Sequence, residues 1–116
     1  MIGVDLVKIE RIEKMIERFG DKALKRFLND KEIELITTPS RAAGFWAAKE
    51  AASKAIQTGI GSECSFHDIE LSLSPKGAPL LSYSNQIKIQ FNIKSSSLSI
   101  THDGDYAIAV VAVEQK

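Results

Sequence analysis

Three short segments of the 116-residue chain carry side chains able to do chemistry. The first centres on Asp5, a lone carboxylate in the apolar run Met1-Ile2-Gly3-Val4-Asp5-Leu6-Val7. Burying a carboxylate among Ile, Val and Leu costs several kcal/mol unless a cation or donors compensate. Either something positive stands beside Asp5, or strand alternation turns it toward solvent or a helix N-terminus. The second segment is Trp46-Ala47-Ala48-Lys49-Glu50-Ala51-Ala52-Ser53-Lys54-Ala55. Glu50 and Lys54 are four apart and share a helix face, and the alanines around them let a bulky ligand or another backbone come close. This pattern suits a pocket where a carboxylate holds a metal and an ammonium meets a phosphate. It equally suits a surface ion pair worth about a few tenths of a kcal/mol. The third segment, Ser99 to Tyr106, is a strand entering a turn, where His102 is able to donate to a phosphate, shuttle a proton or simply stand in solvent. Gly59 and Gly61 lie just past the helix end, where glycine lets a ligand approach the backbone and is also the ordinary C-cap choice.

These segments need a frame. From Ile9 the apolar period becomes helical: Ile9, Ile12, Ile16, Phe19, Ala23 and Phe27 fall within about 80° on a helical wheel, with Gly20-Asp21 breaking or bending the helix. Asn29 and Glu32 have capping-box spacing for a second short helix, ended by Thr37-Thr38-Pro39. Ser40 is placed to cap a third, which Thr58-Gly59-Ile60-Gly61 stops. Beyond it the expected strands are Ile69/Leu71/Leu73, Ile87/Ile89/Phe91/Ile93, Leu98/Ile100 and Tyr106 to Val113, with Pro75 to Pro79 and Ser95-Ser96-Ser97 as turns. Helices first and strands after predict an α+β fold, the N-terminal strand and helices packed on a mostly antiparallel sheet.

Composition narrows the function. Residues 1–116 have the length of a single domain, and the lone Cys64 excludes an intrachain disulfide and a paired-cysteine metal site. Fifteen basic and fifteen acidic side chains cancel, which argues against a nucleic-acid binder relying on bulk charge. No apolar run approaches the roughly 18 residues of a membrane span, and Asp5 interrupts what a signal peptide would keep apolar. A cytoplasmic setting is therefore expected. Charge is uneven: residues 1–54 hold 20 of the 30 charged side chains, so an electrostatic partner has to meet a local patch. Arg11, Lys14, Arg18, Lys22 and Lys25 lie opposite the apolar stripe of the first helix, forming a basic ridge diluted by Glu10, Glu13, Glu17 and Asp21.

Taken together, Ile2-Gly3-Val4-Asp5-Leu6-Val7 with Arg11-Ile12, Trp46 to Ala51 with Lys54-Ala55 and Thr58-Gly59-Ile60-Gly61, Phe66-His67-Asp68-Ile69-Glu70, and Ser99-Ile100-Thr101-His102 with Tyr106-Ala107 resemble holo-acyl-carrier-protein synthase, the small class of 4′-phosphopantetheinyl transferases. The resemblance spans essentially the whole chain. It implies transfer of the phosphopantetheine arm of coenzyme A to a serine of apo acyl carrier protein, with adenosine 3′,5′-bisphosphate leaving, in fatty acid biosynthesis. By the same resemblance Asp5 and Glu50 hold Mg²⁺ against the pyrophosphate and Lys54 contacts phosphate, so these three carry catalysis. Gly59, Gly61 and His102 fall at substrate-binding positions, Arg11 matches an arginine that contacts the carrier, and a homotrimer with sites between neighbours is implied. Two positions depart from the family pattern: Phe45 stands where arginine is usual and Ala78 where lysine is usual. The readings from other classes are a non-catalytic module docking acidic helical partners, with Glu50 and Lys54 as a mere ion pair, and a metal-dependent hydrolase in which water replaces the acceptor serine.

Overall fold

The computed structural model describes all residues, Met1–Lys116. The chain begins with strand β1 (Ile2–Lys8) and helices α1 (Ile9–Phe19), α2 (Asp21–Phe27), α3 (Asp30–Glu34) and α4 (Pro39–Ala55). A 3₁₀ turn at Phe66–Asp68 then leads into β2 (Ile69–Leu73), β3 (Pro79–Tyr83), α5 (Asn85–Gln90), β4 (Ile93–Asp103) and β5 (Tyr106–Gln115). Two antiparallel sheets form, one ordered β1-β5-β4 and the other the hairpin β2-β3. The α+β expectation holds.

The break after α1 lies where the sequence places it, because Gly20 takes φ 56°, a conformation open to glycine. The capping box of α3 is also present: Asn29 Oδ1 accepts from the Glu32 amide at 2.8 Å, and Glu32 Oε1 accepts from the Asn29 amide at 2.7 Å. The cap of α4 is Thr38 rather than Ser40. Its Oγ1 accepts from the Arg41 amide, and Pro39 takes the first helical position, where its missing N–H costs nothing.

Two expectations in the second half are overturned. Residues 87–92 do not form a strand, and Ile93 opens β4 instead: Asn85–Gln90 is helix α5, capped by Ser84, with Ile87 buried and Ile89 exposed. Alternating isoleucines mimic a strand over so short a span, and the real partner of β2 is Pro79–Tyr83. Ser95-Ser96-Ser97 is likewise not a turn but part of β4, paired with β5 past an irregularity between Ile93 and Ser95. The long β5 template supplies the ladder that serine's own preferences would not.

Helix α4 is the centre of the fold, and Ala42, Ala43, Ala47, Ala48, Ala51 and Ala52 on it are fully buried. Packed by strands on one side and by other elements around it, it is apolar or small almost all round. On the opposite side of the β1-β5-β4 sheet Ile2, Val4, Leu6 and Val110 stay exposed, at 75%, 55%, 57% and 42%.

The rotation of α4 is tied down by a buried polar node. Lys49, fully enclosed, donates to Glu32 Oε1 at 2.8 Å and to the Phe66 carbonyl at 3.1 Å. Glu32 Oε2 accepts from the Leu71 amide at 2.7 Å. One carboxylate thus joins α3, α4 and β2. Burial pushes the Lys49 ammonium down from its ordinary value, opposed by the Glu32 carboxylate bonded to it.

Candidate active site

Strand alternation points Gly3, Asp5 and Val7 at α4, and Asp5 keeps only 13% of its side chain exposed. Its cation is Lys54, whose Nζ donates to Asp5 Oδ1 at 2.8 Å and reaches the Val4 carbonyl at 3.5 Å. The positive neighbour demanded by the apolar strand is therefore the lysine of the second segment. The surface-pair reading of Glu50 with Lys54 fails, since the lysine bonds across to β1 rather than along its own helix.

Glu50, half-buried one turn before Lys54, is left without an ion-pair partner. Burial and the negative charge of Asp5 push its carboxyl above the ordinary value, and Lys54 and Arg11 offset this only in part. Two carboxylates crowd one partly desolvated place, with one oxygen of Asp5 already taken. That is a donor set for a hard divalent cation completed by other oxygens.

Arg11 lies at the edge of the same place. Its guanidinium sits 5.5 Å from the centroid of the Trp46 ring, which also packs against Phe27 and Phe66. Trp46, Glu50 and Lys54 follow one another at four-residue steps up one face of α4. The rest of the basic ridge is weaker than the sequence implies, because Lys14 pairs with Glu10 at 2.9 Å and Gly20 moves Lys22 and Lys25 onto α2.

His102 is elsewhere. It is the penultimate residue of β4, at the other edge of the sheet from β1 and roughly 10 Å away by strand spacing alone. Its Nε2 donates to the Ser40 carbonyl at 2.9 Å, an approach permitted by Gly44, where a Cβ would stand 3.3 Å from that nitrogen. His102 lines a cavity of about 280 Å³ with Arg41, Phe45, Gly77 and Pro79. Arg41 and Gly44 were not singled out from sequence; only Gly44's place within a helix hinted at a close approach. The departure at Phe45 lines this cavity, and the one at Ala78 lies between two of its lining residues, so both change one cavity and leave the carboxylates alone. Gly59 and Gly61 occupy the loop after α4, their amides donating to the Ser53 and Cys64 carbonyls. Gly59 needs its φ of 64°, while a Cβ on Gly61 would meet nothing within 4 Å.

A single chain therefore holds two separated clusters, Asp5–Glu50–Lys54 and the His102 cavity. The model of the 4′-phosphopantetheinyl transferase superfamily matches residues 1–111. The chain belongs to that superfamily. It is 58% identical over 114 residues to the holo-[acyl-carrier-protein] synthase of Sulfurimonas denitrificans, covering 98% of this chain and 94% of that one. With the corresponding protein of Aliarcobacter butzleri it shares 60% over 111 residues, 96% and 94% of the two chains. Among solved structures, the Helicobacter pylori holo-[acyl-carrier-protein] synthase in complex with coenzyme A superimposes with a TM-score of 0.95 at 55% identity, covering 98% of this chain and 100% of that one. The Neisseria meningitidis enzyme follows at 0.88 and 30%, covering 98% and 97%. The resemblance read from the motifs and the fold expected from it are both borne out.

Proposed function

We propose that this superfamily member transfers the 4′-phosphopantetheine group of coenzyme A to a serine hydroxyl of apo acyl carrier protein, Mg²⁺-dependently, as a step of fatty acid biosynthesis in the cytoplasm. The serine oxygen bonds to the phosphorus that carries the pantetheine arm, the bond from that phosphorus to the bridging oxygen breaks, and adenosine 3′,5′-bisphosphate leaves. The observation that carries the reading is the meeting of Asp5, Glu50 and Lys54 between β1 and α4 in a chain matched to the superfamily over residues 1–111.

Asp5 and Glu50 fit Mg²⁺, an ion that takes one or two carboxylates and completes its shell with phosphate oxygens and water. When bound it supplies charge neutralisation for the pyrophosphate. Lys54, half-exposed on the Asp5 side, offers its remaining hydrogens to a phosphate. Little covalent work falls to the protein, because phosphoryl transfer is mostly positioning and electrostatics. Arg11, held over Trp46 beside Glu50, offers an acidic carrier a fixed cation next to the reacting groups.

Labelled pantetheine should pass from coenzyme A to an apo carrier protein, and a chelator should stop it. In the same assay Arg11→Glu should raise the apparent KM for the carrier several-fold and leave that for coenzyme A nearly unchanged, with added salt acting like the mutation. No transfer, or transfer indifferent to chelator, would refute the reading. Release of phosphopantetheine without a carrier would make the chain a hydrolase.

The apolar outer face of the β1-β5-β4 sheet supports a homotrimer. Ile2, Val4, Leu6 and Val110 form a patch that a second copy would cover, and a neighbour would bring its His102 cavity to complete a site beside Asp5 and Glu50. Light scattering should give about three times the 12.7 kDa chain mass.

A further inference from the structure

Gly3 has an ordinary strand conformation, so its backbone does not require glycine. Its surroundings do. A Cβ built there would lie 1.9 Å from the Ala51 carbonyl oxygen and 2.5 Å from the Ala55 amide nitrogen, atoms of helix main chain that no rotamer change can move aside. The main chain of β1 thus rests directly on the main chain of α4, across a seam where Ala51 and Ala55 contribute no bulk. Asp5 is the next inward residue along β1, and Glu50 and Lys54 immediately precede Ala51 and Ala55. The contact that brings strand and helix together therefore lies within two residues of all three charged groups.

We infer that Gly3 is a positioning residue: its missing side chain sets the height of β1 above α4, and hence the separation at which the Asp5 and Glu50 carboxylates share a cation. The inference rests on the proposed function for the identity of the site. An added methyl must lift this end of β1 by more than an ångström to restore ordinary contact. Asp5 would move with it while Glu50 stays on the helix.

The test uses Mn²⁺ alone as the probe, its binding to the folded protein followed by electron paramagnetic resonance without substrates. Gly3→Ala should weaken Mn²⁺ binding about 10- to 100-fold. Asp5→Glu should weaken it in the parent chain yet recover at least part of it in the Gly3→Ala background, because the extra methylene spans the widened gap; such non-additivity marks distance rather than general damage. Equal Mn²⁺ affinity in the parent and Gly3→Ala, or a double variant no better than Gly3→Ala, would overturn the inference. Should Gly3→Ala fold only with a stabilising osmolyte such as trimethylamine N-oxide, parent, Gly3→Ala and the double variant are compared in that same osmolyte, with the same outcomes supporting or overturning the inference. Failure of the parent chain to bind Mn²⁺ would instead strike the metal site itself.

Discussion

Asp5→Asn and Glu50→Gln are each expected to lower turnover by about 100- to 1,000-fold at saturating substrates, the scale of removing one preorganised charge partner from a reacting group. The two should part company in stability. Asp5→Asn gives up a 2.8 Å charge-assisted bond to a half-exposed lysine, a loss of at most about 1 kcal/mol after screening. Glu50 has no such bond, and burial together with Asp5 already disfavours its charged form. Because the folded state holds that carboxyl above its ordinary value, ionised Glu50 works against folding at neutral pH, and the neutral isostere should leave the protein as stable as the parent or more so. Urea unfolding beside the transfer assay separates the cases. A Glu50→Gln protein that is inactive and equally or more stable marks a group kept for chemistry at the expense of folding. Full Mg²⁺-dependent turnover in either variant would sink the assignment of a cation shared by the two carboxylates.

How much of this was legible in the sequence differs by element, for physical reasons. Asp5 was readable because a carboxylate in an apolar strand is costly, and the demand for a cation was met. What single-residue reasoning could not supply was which cation, since Lys54 is 49 residues away and its nearer acidic neighbour Glu50 offered a plausible local pair. The capping box at Asn29 and Glu32 was legible as a helix start, yet the second role of Glu32, gripping Lys49 and the Leu71 amide, depends on tertiary contacts that no local spacing encodes. Helix α5 was misread because six residues hold too few turns for helical periodicity to outweigh isoleucine alternation. The separation of His102 from the carboxylates was invisible for another reason: it follows from the strand order β1-β5-β4, which places β5 between them.

The second large effect concerns Lys49, which stands beside Glu50 in sequence but is turned about 100° from it around the helix, into the core. Lys49→Met should destabilise the chain by about 3–5 kcal/mol, because the Glu32 carboxylate would remain fully buried with its cation gone. Removing both charges with Glu32→Leu and Lys49→Met is often harmless for a buried pair, but here it should recover little. Glu32 also accepts from the Asn29 and Leu71 amides, so its loss strips two backbone donors of their partner, at about 1–3 kcal/mol for each that stays buried. Glu32→Gln with Lys49→Met keeps one acceptor oxygen and a shape close to the original, and should be the mildest of the three. Urea midpoints at one fixed protein concentration give the comparison, since in the proposed trimer they would shift with concentration. A drop in the order double apolar variant and Lys49→Met well below Glu32→Gln with Lys49→Met identifies the node as a backbone clamp as well as an ion pair. A double apolar variant as stable as the parent would show that neither the ion pair nor the two amide bonds adds net strength to the attachment of α4 to α3 and β2.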